Sequence, residues 1–394
     1  MRKIFQFFRN LSNVVAFNQL PKASRRVVFY SEGGTYWVHL GALLKAFLQR
    51  SDVGVCYISS NVDDPGLKLE HPQLTTFLID EGAIRNWLFE NIDTDVMVMT
   101  MPDIDQYQVK RSRHNVHYVY TQHSLVSLHM VYRPGAMDGY DSIFCAGPHH
   151  LEEIRMLQQQ RNFASKNLVE HGYPRLDEVI AGRPSAVDPK SITNVTGAGR
   201  PKQTEGATVL LAPSWGAESI TDTVALPLIE ALLADNFRVI FRPHPQSRKF
   251  SLDAINAILN SVGQHEYFEY EGDVTGTESL YRSDIMICDW SGAALDYAFG
   301  LEKPVLFIDV PRKVNNPEYE SLPLEPFEVG IRETIGTVIT PSDIASVGDY
   351  MRYLLSRDMA SEIRAARDAS VFNVGSSDTV GADALLEILA NQSR

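Results

Sequence analysis

The sequence predicts an α/β protein of two doubly wound domains, each a parallel sheet covered by helices, with a ligand cleft at the carboxyl ends of the strands. Three observations predict it. Short apolar runs alternate with helical periodicity from residue 25 to 182, a stretch rich in Pro and Gly breaks the pattern, and the alternation restarts at 208. A chain of 394 residues is long enough to bury two such cores.

Residues 1–26 form a basic, amphipathic opening segment. Arg2, Lys3, Arg9, Lys22, Arg25 and Arg26 precede the first acid, Glu32, and alternate with Ile4, Phe5, Phe7, Phe8, Leu11, Val14, Val15 and Phe17. Gln6, Arg9, Asn10 and Asn13 break the apolar run, which argues against a signal peptide. Two readings stand: an interfacial helix on anionic lipid, or a segment without that role, a helix packed on the first domain or a frayed terminus. No later stretch has the roughly 18 unbroken apolar residues of a membrane span.

The first domain, 27–182, opens with a strand at 26–30 and a helix at 38–48. Strands follow at 53–59, 74–79, 95–100 and 116–121, with a turn at 63–66 and a helix at 83–91. Residues 183–207 carry three prolines, several glycines and few large apolar side chains, the composition of a linker. The second domain, 208–394, has strands predicted at 208–212, 238–241, 267–270, 284–289 and 304–309. Helical stretches lie near 223–235, 252–262, 277–283 and 291–300, and two or three closing helices at 342–392.

A net charge of −13 argues against a nucleic-acid binder, which needs a basic face. Cys56, Cys145 and Cys288 sit in apolar contexts with no metal-ligand spacing, as buried thiols of a reducing compartment do.

Residues of chemical interest fall just after strands. His123 ends the strand before it, flanked by Gln122 and Ser124; an imidazole there can take a proton from a hydroxyl, or act as a structural histidine bonded to a carbonyl. Arg242 and His244, stiffened by Pro243 and Pro245, offer a planar cationic fork and a neutral donor to a phosphate. Ser291 and Gly292 open a helix whose free N–H groups suit an anion, and Asp289 caps that helix or orients the loop. Thr277 and Glu278 mark a second helix start, as a cap or a nucleotide contact. Glu32, Gly33 and Tyr36 follow the first strand without the GxGxxG spacing of a dinucleotide site. The stretch 171–177 shapes the hinge beside the linker, with Arg175 a candidate phosphate contact. No HExxH or DxD-type pair stands at a strand end, so neither metal nor cofactor is called for; Arg, His and helix N-termini can balance a leaving phosphate.

Five segments in register resemble the CDP-glycerol glycerophosphotransferase family, the teichoic-acid primases and polymerases of the GT-B architecture with two Rossmann-like domains. They are QHS at 122–124, GYPRLD at 172–177, LLAPSWG at 210–216, FRPHP at 241–245 and SDIMICDWSGAALDYAFGLEKPVLFID at 283–309. The resemblance implies that His123 activates the acceptor hydroxyl, that Arg242 and His244 meet the donor pyrophosphate, and that Ser291 is a further phosphate contact. Ser214, in the third segment, joins the donor set. The chain departs from the family at Ser124, where glycine is usual, at Trp290 for Tyr, and at Gly292 for the second Ser.

The resemblance further implies transfer of a polyol phosphate from CDP-glycerol, or a similar nucleotide-activated donor, to a lipid-linked or polysaccharide acceptor, releasing CMP. That chemistry belongs to teichoic-acid-like or capsule synthesis at the cytoplasmic face of the cell membrane. A GT-B glycosyltransferase using a nucleotide sugar, a non-hydrolysing sugar-nucleotide epimerase, and a non-catalytic nucleotide- or polymer-binding protein are the competing readings. The last is disfavoured because a binding module needs no base facing its anion pocket.

Overall fold

The computed structural model describes residues 2–161, 163, 165–183, 206–274 and 276–392. The chain divides into two compact units. The first comprises Met1–Glu178, Asn315–Leu324 and Ser370–Arg394; the second comprises Val179–Val314 and Glu325–Ala369. Most of the predicted linker, and Thr275 at the second predicted helix start, lie outside the described residues.

Unit one is built on seven parallel strands: β1 (Val27–Ser31), β2 (Val55–Ser59), β3 (Leu74–Leu78), β4 (Val96–Met99), β5 (His117–Thr121), β6 (Ser142–Cys145) and β7 (Asn167–Glu170). Their order is β3-β2-β1-β4-β5-β6-β7. Both faces are covered, so the central strands read as unbroken apolar runs and alternate between two cores. Val28, Tyr30, Met97, Met99 and Tyr120 face one core with Val14, Phe17, Leu88 and Phe89. Val27, Phe29, Val98 and Val119 face the other, against Leu40, Leu43, Leu44 and Phe47 of the helix Trp37–Arg50.

The opening helix, Arg2–Gln19, combines features of both readings of the N-terminus. Val14 and Phe17 are buried in unit one, and Asn13 donates to the Leu78 carbonyl at 2.7 Å. Ile4, Phe5, Phe7, Phe8, Leu11 and Val15 remain exposed.

Unit two holds β8 (Thr208–Leu211), β9 (Arg238–Phe241), β10 (Phe268–Tyr270), β11 (Ile285–Cys288), β12 (Val305–Ile308) and β13 (Gly336–Ile339), all parallel, in the order β10-β9-β8-β11-β12-β13.

Two features correct the sequence reading. The strands β6, β7 and β13 were not predicted; β7 and β13 are part-exposed edge strands without a contiguous apolar run, and β6 offers only Ile143, Phe144 and Cys145 after Ser142. The last helix, Ser377–Gln392, was grouped with the second domain but packs in unit one. Leu385, Ile388 and Leu389 share a core with the helix Trp37–Arg50, and Arg50 pairs with Asp383 at 2.7 Å. Gly381 permits that approach, since a Cβ there would lie 2.4 Å from His171 Nε2. The predicted hinge segment is accordingly an anchor. Asp177 accepts from the Gly375 and Ser377 amides at 2.6 and 3.0 Å, fixing the start of this helix.

Candidate active site

In sheets of this order ligands bind beyond the carboxyl ends of the strands, where the strand order reverses. In unit one that point lies between β1 and β4, and in unit two between β8 and β11.

In unit one, β5 delivers His123 two residues past its end, half-buried. Tyr120 Oη lies 3.3 Å from its Nδ1 and Tyr132 Oη 3.2 Å from its Nε2, while Tyr120 donates to Tyr132 at 3.1 Å. The consistent pattern is a closed ring: Nδ1–H donates to Tyr120, Tyr120 to Tyr132, and Tyr132 to Nε2. Burial pulls the imidazole down to about 4, against a backbone hydrogen bond with Thr100 that raises it. The ring is therefore neutral at physiological pH, with its lone pair on Nε2.

Around it stand Tyr36 and His39, with ring centroids 5.9 and 6.0 Å away. His39 is held well below the usual range by burial, then by His123 and Arg175, and its Nδ1 lies 3.2 Å from Tyr173 Oη. Glu32, just past β1, is half-buried and makes no ion pair or hydrogen bond among the described residues. Burial and the nearby Glu81 push its carboxyl up to about 7, with Arg85 opposing. The adjacent Gly33 is in extended backbone, its amide bonded to Ser31 Oγ at 3.3 Å. Gln122 is buried with its amide nitrogen unpartnered among the described residues. Ser124 shapes the turn by accepting from the Val126 amide at 3.3 Å. Arg175 is buried, with His39 and Glu178 as titratable neighbours.

The segment after His123 is braced by residues that the sequence reading missed. His149 and His150 donate to the Leu125 and Val126 carbonyls, each at 2.9 Å. Glu153 accepts from the Leu128 and His129 amides at 2.6 and 2.9 Å. The signal was the Pro148-His149-His150 start of the helix Pro148–Arg161, with Glu153 following.

In unit two, the assignments of Asp289 and Arg242 need correction, and so does the cap reading of Thr277. Asp289, 2% exposed, neither caps the following helix nor is open to a ligand. Its two oxygens accept from the Ser214 and Ile220 amides at 2.7 and 3.1 Å, so it holds the loop after β8. Arg242 is committed to protein: it donates to Ser279 Oγ at 2.7 Å and to the Val274 and Gly276 carbonyls at 2.7 and 2.8 Å. The expected phosphate fork thus organises the loop before Thr277. Thr277 and Glu278 begin a helix of five residues, Glu278–Arg282, without a side-chain cap, and Glu278 is exposed.

His244 is placed to meet a ligand. Its Nδ1 accepts from the Gln246 amide at 3.1 Å, which puts the ring proton on Nε2 as a donor. Burial and then the positive charge of Lys313 pull it down to about 4. Ser291 and Gly292 are half-buried ahead of the helix Ala293–Leu301, and Ser291 Oγ accepts from the Ala293 amide at 3.3 Å. Two residues that were not singled out as site candidates, Trp215 of the LLAPSWG segment and Lys313, complete the cluster. Trp215 lies 6.1 Å from the His244 ring, and Lys313 Nζ sits 3.8 Å above the Trp215 ring centroid.

The profile of the CDP-glycerol:poly(glycerophosphate) glycerophosphotransferase family matches residues 113–312, half of the chain. The chain belongs to this family. The matched region includes His123, Ser214, Arg242, His244, Asp289 and Ser291, and membership makes the chain a glycerophosphotransferase-family transferase.

Solved structures agree on the fold. A variant of the wall teichoic acid polymerase TagF shares 15% identity over 100% of this chain and 98% of its own, with a TM-score of 0.62. TagF soaked with CDPG gives 16%, 100%, 99% and 0.58 in the same terms. The UDP-GlcNAc 2-epimerase of Methanocaldococcus jannaschii, in complex with UDP-GlcNAc and UDP, gives 13%, 93%, 99% and 0.56. At such identities these matches establish the GT-B fold. No curated protein matches by sequence. Among the described residues, no helix is long and apolar enough to cross a membrane.

Proposed function

We propose that the chain transfers glycerol phosphate from CDP-glycerol to a hydroxyl of a lipid-linked or polymer acceptor in cell-envelope polymer synthesis, releasing CMP. The observation that carries this reading is a neutral His123, its tautomer set by two tyrosines, at the position of the family's QHS segment.

The acceptor hydroxyl takes the place of Tyr132 on Nε2 and gives that nitrogen its proton. Its oxygen bonds to the distal phosphorus as the bond to the CMP oxygen breaks. A loose phosphoryl transition state forms little bond to the nucleophile, so proton transfer is late and a weak base suffices. In unit two, His244 Nε2–H and the amides at the Ser291–Gly292 helix start stabilise the charge developing on CMP. Arg242 and Asp289 act through the loops they hold. Glu32, Tyr36 and Gln122 line the acceptor side, with Gly33, Ser124 and Arg175 shaping it. The mechanism calls on no metal or cofactor.

The N-terminal helix suits an acceptor held at a lipid surface. Ile4, Phe8, Leu11 and Val15 form an exposed apolar stripe on this helix, which fits the interface of a bilayer at the cytoplasmic face.

Incubation with CDP-glycerol and a lipid-linked glycerophosphate acceptor tests the reading: CMP is released by wild type and not by His123→Ala. Thermal-shift comparison with CDP-ribitol and UDP-sugars reads donor choice, since a bound donor stabilises the fold by mass action. Stabilisation by a UDP-sugar alone would favour the glycosyltransferase reading.

A further inference from the structure

Three lysines are half-buried among the described residues: Lys166, Lys303 and Lys313. The first two have acceptors. Lys166 donates to the Asp138 and Tyr140 carbonyls at 2.9 and 2.6 Å, and Lys303 to the Tyr281 and Ser283 carbonyls at 3.2 and 2.5 Å. Lys313 makes neither a hydrogen bond nor an ion pair among the described residues. Its ammonium rests on Trp215 at 3.8 Å, and Phe250 stacks against the same indole at 5.9 Å and 25°.

An ammonium partly withdrawn from water, with no protein acceptor for its three donors among the described residues, is stabilised by an anion that completes it. None of the groups facing it forms an ion pair with it among the described residues. His244 lies against the same indole and feels Lys313 as a like charge. Asp289 attracts Lys313 without forming an ion pair with it, and its two oxygens accept from the Ser214 and Ile220 amides. Two potential cations around one indole, neither in an ion pair with a carboxylate among the described residues, describe an anion site. The site also needs a cation, because the Arg242 guanidinium is committed to the loop at 274–279.

We infer that Lys313 is the donor-phosphate cation of unit two: with His244 Nε2–H it binds the pyrophosphate of the donor, and Trp215 holds it in place until the anion arrives. This rests on the CDP-glycerol reading for the identity of the donor, but the diphosphate site can be tested apart from it. Burial keeps the free ammonium down at about 8, against the attraction of Asp289. Anion binding needs the charged form, so affinity is full below that value and falls as pH rises through it. The diphosphate diester of CDP-glycerol does not titrate in this range, unlike CMP, whose second phosphate proton leaves near pH 6.

Titration calorimetry on the full chain, with CDP-glycerol and with inorganic pyrophosphate, tests the inference. Lys313→Met should weaken both ligands about 10- to 100-fold, the loss of one charge-assisted contact. Wild-type affinity for CDP-glycerol should fall between about pH 7 and 9, whereas Lys313→Arg should bind with no such fall, because arginine stays charged. That last comparison decides the matter even if the Met variant folds poorly. Pyrophosphate binding that depends on Lys313, without CDP-glycerol binding, would keep the anion site and remove the donor reading. CDP-glycerol binding unchanged in Lys313→Met, or a pH fall that persists in Lys313→Arg, would overturn the inference and leave the donor reading intact.

Discussion

His123 in unit one and His244 in unit two reach the same acidity by different routes. Both are pulled down to about 4, chiefly by burial. His123 is then enclosed by the neutral hydroxyls of Tyr120 and Tyr132, whereas His244 shares its indole with a cation. The surroundings suit different tasks. A neutral ring among hydroxyls can receive a proton whatever anions are near. A neutral ring beside an unpaired ammonium is a donor awaiting negative charge. Binding of pyrophosphate should therefore raise the titration of His244 and leave that of His123 in place.

The largest effect expected from this contrast is on turnover. His123→Ala should lower kcat by about 10²–10⁴-fold with the Kd for CDP-glycerol unchanged, as loss of a general base does. His244→Ala should lower kcat by about 10²–10³-fold and also weaken donor binding, since its proton meets the phosphate. Single-turnover kinetics beside calorimetry separates the two; identical patterns for both variants would erase the distinction.

Asp289→Asn comes next. One of the Ser214 and Ile220 amides would lose its carboxylate acceptor, at a cost of about 1–3 kcal/mol, visible as a lower Tm and weaker CDP-glycerol binding. A fall in binding with no fall in Tm would instead place Asp289 on the ligand.

Tyr132→Phe sharpens the His123 side. Its hydroxyl donates to Nε2 and so favours the neutral ring. Its removal should move the acid limb of the kcat/KM profile to higher pH and change the rate by about tenfold or less.

The smallest effect lies away from both sites. Glu302 pairs with Arg183 and Arg367 at 3.1 Å and with Arg364, and Arg364 first, then Arg183, hold its carboxyl down at about 2 against burial. A depressed carboxyl contributes stability above its unfolded value, near 4.3, and loses it as pH falls toward 2. Glu302→Gln should cost at most about 1–2 kcal/mol at neutral pH, with the gap to wild type closing on acidification.

Much of the fold was legible in the sequence because buried parallel strands are written as contiguous apolar runs, such as Val27 to Tyr30 and Ile285 to Cys288. The position of the last helix was not legible. Its apolar residues are compatible with any core, and only Leu385 and Ile388 meeting the helix Trp37–Arg50 decides which. In the candidate site, position after a strand was readable but reach was not. His123 and His244 stand where a strand end places them. Arg242 and Asp289 stand there too, yet their side chains turn to neighbouring loops 32–34 and 69–75 residues away in sequence. Trp215 stood inside the LLAPSWG segment, but only Ser214 was taken from it; Lys313 escaped notice because it reaches the indole across a distance in sequence that no local motif records.

The most direct test of the account is phosphorus NMR of full-length wild type incubated with CDP-glycerol and a lipid-linked glycerophosphate acceptor. The account predicts loss of the two diphosphate signals, with CMP and a new phosphodiester on the acceptor appearing in equal amounts, and no such change with His123→Ala. An intact donor after prolonged incubation with wild type, or the same phosphodiester formed at the same rate by His123→Ala, would contradict it.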